Sequence, residues 1–466
     1  MKGAPAILLA AFLLSGPCPS ALAGPGAGDP AVEARKHLNV LAALDTSNPP
    51  GNEAKAADYL KGVLDREGIP AAVIPFGEGR ASLLATLKGT GSRRPLLLAC
   101  HTDVVPAEPS EWATPPFEPV ERDGYLYARG SADNKAMCAA MLAVLVHLKR
   151  SSGQRVRDVV FLAHGDEESG GEVRHLDWLL ERHGDALKAE FGLMEGGNTV
   201  WKDGRVAEIR VQTAEKAYLD VTLTGRGSGG HASIPRQDNA VALVSRAVAR
   251  LAEHRSAAVL TPLVREFLGR QEGIVDRDTA SAIAAVLNAG PGELDAAVDG
   301  LEAVNADFAA MLRDTLTPTM VRGGYKSNVV PARAEAVLNA RLLPGTQPAQ
   351  FLALLATVMA DPAVSISAEP APAAPAPMSL DTDLYRAVEK AAGAQAPGAP
   401  VMPFMSSWTT DAASLRRRGI VVYGLDLPLS DDDGSRVHGK DERVALKALD
   451  WYVRFLGAVV RRVAVR

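Results

Sequence analysis

Three short, continuous apolar runs constrain the fold of this chain more than any other feature. They are SLLATLKG at residues 82–89, PLLLACH at 95–101 and VVFLAH at 159–164. Runs of this length are typical of strands that are buried on both faces. A strongly helical stretch, KAMCAAMLAVLVHLKR at 135–150, lies between the last two runs. Because buried strands that alternate with helices are typical of open sheets covered by helices, the pattern predicts an α/β domain.

The pattern changes near Tyr218, where apolar and polar residues begin to alternate. YLDVTLTG and RAEAVLNARLLPG alternate in the manner of half-exposed antiparallel strands, and each is followed by a helical segment. The proline-rich stretch PAPAAPAP at 370–377 is typical of a stiff linker. We therefore predict a smaller α+β domain at residues 214–370, with a helical insertion at 263–316. It would interrupt an α/β catalytic domain made of residues 24–213 and 371–466.

Two helix ends are also predicted from single residues. The segment LDWLLERHG predicts a helix that stops at Gly184, since glycine is a common residue at helix ends. The last helix of the chain is predicted to begin at about Asp441.

Composition and charge limit the classes of function. With 466 residues, the chain is long enough for two domains. Apolar residues make up 47% of the chain and charged residues 23%, which is ordinary for a soluble globular protein. The formal net charge is −5 and the basic residues form no long block, which argues against a nucleic-acid partner.

The first 23 residues have the pattern of a secretory signal peptide. Lys2 supplies a positive start, a short apolar segment follows, and Ala21-Leu22-Ala23 is a small-x-small cleavage site. An N-terminal membrane anchor is the alternative interpretation. We predict cleavage after Ala23 and a periplasmic or secreted mature protein that has no membrane segment. Its two cysteines, Cys100 and Cys138, could pair in an oxidising compartment or remain buried thiols.

Groups that commonly bind metals recur where the predicted strands of the α/β domain end. They are His101 and Asp103 after PLLLAC, Asp133 before the central helix, Asp166-Glu167-Glu168 after VVFLAH, and Glu195 in GLMEGG. A late histidine, His438 in VHGKDE, lies just ahead of the predicted final helix. Open α/β sheets bind ligands at the carboxyl ends of their strands. Carboxylates gathered there repel one another, and bound cations would relieve the repulsion. Imidazole nitrogen and carboxylate oxygen suit zinc, with manganese or cobalt as alternatives, and two ions that share one carboxylate could use more of these groups than one ion.

Each of these groups also has an ordinary structural interpretation. A His-x-Asp pair is usually a surface or capping pair, and the DEE triplet is usually a solvated loop. An aspartate ahead of a helix, such as Asp133, is usually an N-cap. Glu195 before two glycines fits a turn. The conjunction of these groups at the strand ends of one sheet is what favours a metal site.

A series of motifs resembles one enzyme family. The motifs are HTDVVPA, WATPPFEP, DGYLYARGSADNKA, DEESGG, MEGG, GGHAS, GGYKSNVVPARAEAVLNARLLPG, TTDA and VHGKDE, and they cover essentially the whole mature chain. In these motifs the chain resembles the co-catalytic zinc exopeptidase and aminoacylase family, which includes glutamate carboxypeptidase, aminoacylase, succinyl-diaminopimelate desuccinylase and yeast vacuolar carboxypeptidase S. The resemblance implies a zinc-exopeptidase-like α/β catalytic domain and a ferredoxin-like α+β domain that serves as lid and dimerisation domain. The helical insertion resembles the carboxypeptidase S-like branch.

The resemblance also implies a role for each metal-binding group. Asp133 would bridge two zinc ions, for which cobalt or manganese could substitute. The remaining ligands would be His101 and Glu195 for one ion, and Glu168 and His438 for the other. Asp103 would hold the His101 ring, which raises the basicity of that ligand. Glu167 would be the general base, taking a proton from the attacking water and handing it to the leaving amine.

The glycine-rich stretch GRGSGGHAS allows two interpretations. Gly225, Gly227 and Gly230 match the G-x-G-x-x-G pattern of a dinucleotide site. Pro235 follows closely and the preceding strand alternates, so this interpretation is disfavoured. The resemblance implies instead that His231 reaches the active site of a partner subunit and stabilises the oxyanion there, in a homodimer formed through the lid domain. An ordinary loop histidine is the alternative.

The resemblance assigns Asn328 and Arg341 to the free carboxylate of the substrate. An arginine fork can hold both oxygens of a carboxylate, although a surface salt bridge is the competing interpretation. Two departures concern the substrate pocket. Met194 precedes Glu195 where related carboxypeptidase S-like members often have Asp, and Trp408 stands where a glycine is common. A bulky indole at this position could narrow the pocket or stack on an apolar substrate group.

Together these observations predict a di-zinc hydrolase of amide bonds. The expected substrate is a small peptide or an N-acyl amino acid with a free C-terminal carboxylate. Carboxypeptidase or dipeptidase action is the first expectation, and N-acyl amino acid hydrolysis is the alternative, because the same site can break both kinds of amide. A catalytically inactive binding protein on the same fold is a more distant alternative.

Overall fold

The computed structural model describes residues 28–168, 175–271 and 273–466. The predicted signal peptide and its cleavage site after Ala23 lie outside the described residues. The helices, in chain order, are α1 (Pro30–Ala42), α2 (Ala54–Arg66), α3 (Lys135–Arg150), α4 (His175–Leu187), α5 (Ala240–Glu253), α6 (Pro262–Gly269), α7 (Arg277–Asn288), α8 (Leu294–Glu302), α9 (Ala306–Ala310), α10 (Pro348–Met359), α11 (Asp383–Gln395), α12 (Ala412–Arg417), α13 (Asp431–Gly434) and α14 (Leu446–Ala464).

The strands, in chain order, are β1 (Ala71–Gly77), β2 (Arg80–Leu87), β3 (Leu96–His101), β4 (Val120–Arg122), β5 (Tyr125–Tyr127), β6 (Val159–His164), β7 (Phe191–Met194), β8 (Asn198–Lys202), β9 (Arg205–Glu215), β10 (Ala217–Arg226), β11 (Gly230–His231), β12 (Thr315–Gly323), β13 (Val329–Val330), β14 (Arg333–Leu342), β15 (Val364–Ala368), β16 (Val401–Ser406), β17 (Val421–Gly424) and β18 (Arg443–Ala445). The three apolar runs of the sequence form β2, β3 and β6. None of the helices in the described ranges has the length and apolar character needed to cross a bilayer.

A nine-stranded mixed sheet forms the larger body of the molecule. Its strands follow the order β1-β2-β6-β3-β7-β17-β9-β16, and β8 pairs with β9. Strands β6, β3, β7 and β17 run parallel to their neighbours in this series. All residues of β3 and β6 are buried, because one face of the sheet packs on α1, α3 and α14 and the other on α4 and α12. The continuous apolar runs reflect this cover on both faces.

A second, four-stranded antiparallel sheet has the order β12-β14-β10-β15. Helices α5 and α10 pack on one of its faces, so the element order is the β-α-β-β-α-β order of ferredoxin-like folds. Inward residues alternate with half-exposed ones along β10 and β14, as the sequence pattern predicted. The chain passes from the large sheet to this sheet at Lys216, between β9 and β10.

Helices α6 to α9 form the predicted helical insertion, and they pack on the large body. Their apolar cluster includes Met402, Phe404 and Met405 of β16. The insertion is shorter than predicted, since Thr315 and Leu316 already belong to β12, where they pair with β14.

Two predicted helix ends differ from the structure. Helix α4 continues past Gly184 to Leu187, with a kink at His183, whose backbone leaves the helical region. The last helix begins at Leu446 rather than near Asp441, because residues 443–445 form β18 and pair with β5. At the last helix, pairing with a strand that lies far away in sequence outweighs the local helical pattern.

Cys100 and Cys138 form a disulfide, with their Cα atoms 5.5 Å apart. Cys100 lies one residue before the end of β3, and Cys138 lies in the first turn of α3. Of the two states left open by the sequence, the structure contains the paired one.

Candidate active site

The carboxyl ends of three neighbouring strands bring the acidic and imidazole groups together. His101 is the last residue of β3, Asp166-Glu167-Glu168 follow β6, and Glu195 follows β7. Since β6, β3 and β7 are adjacent and parallel, these groups share one edge of the sheet. Asp133 enters from the loop before α3, and His438 from the loop after α13.

The first cluster contains His101, Asp133 and Glu195. Nε2 of His101 lies 3.0 Å from Oδ1 of Asp133 and 3.2 Å from Oε2 of Glu195. The imidazole is almost completely buried. Burial lowers the pKa of His101, but the charge of Glu195 and the hydrogen bonds to nearby carboxylates outweigh it and raise that pKa well above its usual value. The site thus favours positive charge at this point.

The second cluster contains Asp133, Glu168 and His438. Nε2 of His438 lies 3.1 Å from Oδ2 of Asp133 and 3.1 Å from Oε1 of Glu168. These two hydrogen bonds raise the pKa of His438 to about 10. Asp133 therefore turns one carboxylate oxygen toward each cluster.

The donor set fits divalent cations. Each cluster offers one imidazole nitrogen and two carboxylate oxygens within 4.8 Å of one another. Oε1 of Glu195 is buried and has no hydrogen-bond partner among the described residues, so it is available as a ligand atom. A cation would bind this oxygen. It would also supply the positive charge that a proton on each imidazole supplies in its absence. The residues predicted as ligands are thus the ones that the structure brings together.

Glu167 lies beside both clusters. One carboxylate oxygen of Glu167 is within 4.8 Å of ligand atoms of His101 and Glu168. Desolvation raises the pKa of Glu167 well above its usual value, and the charge of Glu195 adds to this effect. A carboxylate with a raised pKa is a stronger base, which suits general base chemistry.

Asp103 contacts both the His101 ring and the loop of Glu167. Nδ1 of His101 is 3.0 Å from the backbone oxygen of Asp103 and 3.7 Å from its carboxylate. The carboxylate accepts hydrogen bonds from Asn48 at 2.9 Å and from the backbone N–H groups of Glu167 and Glu168 at 3.3 and 3.0 Å. Burial raises the pKa of Asp103, yet these bonds and His101 outweigh it and lower the pKa to about 2. The fully buried carboxylate thus fixes the loop that carries Glu167.

The sequence interpretation missed several residues of the site. Nδ2 of Asn134 donates to Oε2 of Glu195 at 2.5 Å, and Asp426 accepts from the N–H of Gly196 at 3.1 Å. Glu442 is buried and accepts hydrogen bonds in the loop that carries Asp133. Asn134 lies inside the motif SADNKA and Glu442 inside VHGKDE, and these motifs are the sequence signal that could have identified the two residues.

A cavity of about 2010 Å³ opens over the two clusters. Its wall includes Arg341, Tyr218 and Trp408. Arg341 lies 4.7 Å from the centre of the Tyr218 ring and donates to Asn339 at 2.9 Å and to Thr409 at 3.4 Å. Both of these hydrogen-bond partners of Arg341 are neutral, so its charge can meet a ligand in the cavity.

His231 and Asn328 lie together but away from this cavity. His231 pairs with Val329 where β11 meets β13, and the backbone oxygen of Asn328 accepts from the N–H of Ala232 at 3.0 Å. Both side chains are exposed. Neither belongs to the cavity wall of its own chain.

Comparison with known proteins decides the family. The sequence profile of peptidase family M20/M25/M40 matches residues 97–462, most of the chain. The chain belongs to this family. M20 membership makes it a hydrolytic enzyme of the metallopeptidase and amidohydrolase class, in agreement with the resemblance noted in its motifs.

The chain is similar to several individual proteins and to solved structures of this family. It is 28% identical over 375 residues to the N-fatty-acyl-amino acid synthase/hydrolase PM20D1 of Xenopus tropicalis, covering 78% of this chain and 71% of the relative. It is 27% identical over 387 residues to the probable carboxypeptidase S-like 2 of Dictyostelium discoideum, covering 80% and 73%. The structure of the M20 family metallo-carboxypeptidase Sso-CP2 from Sulfolobus solfataricus matches with a TM-score of 0.71 at 22% identity, over 92% of this chain and 99% of that one. This match confirms the predicted fold.

Proposed function

We propose that this M20 enzyme is a di-zinc hydrolase of amide bonds, acting as a carboxypeptidase or dipeptidase on small substrates with a free C-terminal carboxylate. The observation that carries the proposal is the placement of Asp133, with one oxygen 3.0 Å from His101 and the other 3.1 Å from His438. A shared carboxylate is the arrangement expected between two cations. Cobalt or manganese would suit the same ligands.

The residues around the clusters divide the chemical work. When bound, the two ions would polarise the scissile carbonyl and lower the pKa of a water molecule. Glu167 takes the proton of the attacking water and delivers it to the nitrogen of the leaving amine. Asp103 keeps Glu167 and Glu168 in place through their backbone N–H groups.

Arg341 is proposed to bind the substrate carboxylate. It lies in the cavity wall, and it is oriented by hydrogen bonds to the neutral side chains of Asn339 and Thr409. A guanidinium held in this way is prepared for a carboxylate, whose two oxygens match its fork.

His231 is proposed to stabilise the oxyanion, and Asn328 to bind the substrate carboxylate, in the active site of a partner subunit. Their exposed position at the β11–β13 pair, outside the cavity of their own chain, supports this proposal. The lid domain, for which we propose residues 214–370, would form the homodimer. Exposed apolar side chains near β12 support this surface; they are Ile234, Val241, Met320, Val321 and Tyr325.

Hydrolysis of N-acyl amino acids is the second candidate. The cavity of about 2010 Å³ is larger than the roughly 300–1,000 Å³ of usual small-molecule sites. Two exposed apolar side chains, Ile274 and Trp408, line it. The similarity to N-fatty-acyl-amino acid synthase/hydrolases favours the same candidate.

We also propose that the protein works in the periplasm or outside the cell, after removal of residues 1–23. The buried Cys100–Cys138 disulfide supports an oxidising compartment, since disulfides persist there and are rare in reducing ones.

A substrate panel tests the proposed function. Metal-free protein is reloaded with Zn²⁺ and incubated with dipeptides, their C-terminal amides and N-acyl amino acids, and the products are identified by mass spectrometry. We expect zinc-dependent cleavage of substrates with a free carboxylate and little cleavage of the amides. Equal cleavage of the amides would contradict the carboxylate requirement, and cleavage that a chelator does not suppress would contradict the metal mechanism.

A further inference from the structure

Glu442 accepts four hydrogen bonds from the segment that carries Asp133. Its Oε1 accepts hydrogen bonds from the N–H groups of Ala132 at 2.8 Å and Asp133 at 3.1 Å. Its Oε2 accepts from the N–H of Gly130 at 2.9 Å and from the guanidinium of Arg129 at 2.7 Å. The residue is 1% exposed, so four donors surround a carboxylate from which water is excluded.

The same segment of chain presents His438, four residues before Glu442. Nη2 of Arg129 donates to the backbone oxygen of His438 at 3.3 Å, and the N–H of Ala128 donates to the backbone oxygen of Glu442 at 3.1 Å. Beyond Glu442, strand β18 pairs with β5. The loop of Asp133 and the loop of His438 are thus joined at several points, and the Glu442 carboxylate stands at the centre of the join.

All four hydrogen-bond partners of the Glu442 carboxylate are donors, and this determines how a substitution would affect the loop of Asp133. An ionised carboxylate accepts through both oxygens, whereas an amide accepts through one oxygen and presents hydrogens at the other atom. The N–H₂ group of a glutamine at this position would therefore face donors in either orientation. In one orientation it would face the N–H groups of Ala132 and Asp133, and in the other it would face the donors of Gly130 and Arg129. A buried donor that faces another donor is unfavourable, so the loop of Asp133 would move away.

We propose that Glu442 is a positioning residue, which holds the loops of Asp133 and His438 together so that the Asp133 carboxylate can reach both cation sites at once. This role rests on the proposed two-metal function. Glu442 does not contact the substrate or the ions in this arrangement, and it acts through the backbone of Asp133. It couples the two clusters, since one ligand that they share and one ligand of the second cluster depend on it.

Cobalt titration of metal-free protein tests the proposal. Co²⁺ is added to wild type and to Glu442→Gln, and the bound ions are counted by mass spectrometry of the metal and followed by visible absorption and electron paramagnetic resonance. We expect wild type to bind two ions that are magnetically coupled. The E442Q variant should bind the second ion about 10- to 100-fold more weakly and lose the coupling.

Glu190→Gln is a matched control. Glu190 also pairs with a buried arginine, Arg157, at 2.7 Å, but it lies outside the two clusters and the cavity wall. It should keep both ions and their coupling. An E442Q variant that binds two coupled ions as tightly as wild type would overturn the role of Glu442 and leave the proposed function intact. A wild-type protein that binds a single ion would overturn the two-metal function itself, and the role of Glu442 with it.

Glu442→Asp keeps the test decisive if E442Q does not fold, which circular dichroism would reveal. The shorter aspartate keeps its charge but cannot reach all four donors from the same backbone position. The E442D variant should show a smaller loss of affinity for the second ion, in the same direction. Unchanged affinity in this variant would overturn the proposal.

Discussion

A substitution of Glu167 can test catalysis separately from metal binding, because Glu167 is proposed as the general base and not as a metal ligand. Changing it to glutamine keeps its shape and leaves the proposed ligands untouched, namely His101, Asp133, Glu168, Glu195 and His438. We expect kcat to fall about 10²- to 10⁴-fold, because the proton acceptor is lost while the metal content stays at the wild-type level. Zinc analysis and steady-state kinetics on the same preparation check both halves. Activity near wild type would remove Glu167 from the role of general base.

Trp408 tests which part of the substrate lies next to Arg341. Its indole is 39% exposed in the cavity wall, and the next residue, Thr409, contacts the guanidinium of Arg341. A substrate carboxylate held by Arg341 would place the adjacent side chain close to this indole. For Trp408→Ala we expect kcat/KM to fall about tenfold for N-acetyl-phenylalanine relative to N-acetyl-alanine, because an apolar contact is lost. A rise in that ratio would mean that the indole narrows the pocket instead.

Single residues differ in how well their roles could be predicted from sequence. The proposed ligands were accessible from sequence because their residue types suit metals and because they stand in motifs that resemble one family; His101, Glu168 and Glu195 also lie at or after strand ends. Asn48 and Glu442 were not identified, because each acts on a group that lies far away in sequence. Asn48 reaches Asp103, and Glu442 reaches Asp133, only once the fold has brought the segments together. The motif VHGKDE marks the segment of Glu442, but no local pattern predicts which distant groups these two side chains bind.

The Cys100–Cys138 disulfide joins two elements that lie next to proposed metal ligands. It links the end of β3, next to His101, to the first turn of α3, after Asp133. Replacing both cysteines by alanine should lower the free energy of unfolding of the metal-free protein by about 2–4 kcal/mol, since the crosslink restricts the unfolded chain. Urea denaturation measures the change, and thiol alkylation followed by mass spectrometry confirms that the wild-type pair is oxidised. Equal stability of the two proteins would contradict the contribution of the crosslink.

Helices and strands were predicted well along their length and poorly at their ends. The buried runs became β2, β3 and β6, and α3 spans the whole predicted helix. The ends differ because tertiary pairing decides them. Residues just before α14 pair with β5, and the end of the helical insertion is taken up by β12, which pairs with β14. These partners lie far away in sequence and leave no local signal.

Lys216 connects the large sheet, the ferredoxin-like sheet and the helical insertion. Its ammonium group is buried and donates to the backbone oxygen of Ala310 at 2.9 Å and to Thr315 at 3.2 Å. Burial lowers the pKa of Lys216 from 10.5 to about 7. Between these values the unfolded chain binds a proton that the folded protein does not, so this group makes the free energy of unfolding rise with pH.

Replacing Lys216 by methionine should therefore reduce the rise of stability between about pH 7 and pH 10.5. Denaturant unfolding of wild type and K216M at several pH values within this window measures the difference. Lys135, whose pKa burial also lowers to about 7, is present in both proteins and cancels in the comparison. Identical pH slopes would show that Lys216 does not titrate in this window.

Complementation tests the proposed sharing of residues between subunits. His231→Ala and Glu167→Gln are each expected to be nearly inactive. In a mixed dimer, one site would combine the intact Glu167 of one chain with the intact His231 of the other. Unfolding and refolding the two variants together should therefore restore activity, whereas each variant refolded alone should stay inactive. Absence of recovery in dimers confirmed by size would contradict the shared site.

The helical insertion also affects how far the terminal strand of the large sheet is open to other molecules. It packs on β16, the last strand of the nine-stranded sheet, and Arg270 donates to the backbone oxygen of Val401 at 2.6 Å. An uncovered terminal strand would offer its backbone groups to strands of other molecules. The insertion occupies one of these backbone groups, the oxygen of Val401, and so limits the pairing of β16 with strands of other molecules. Any attempt to shorten this protein to a minimal catalyst would have to supply another cover for β16.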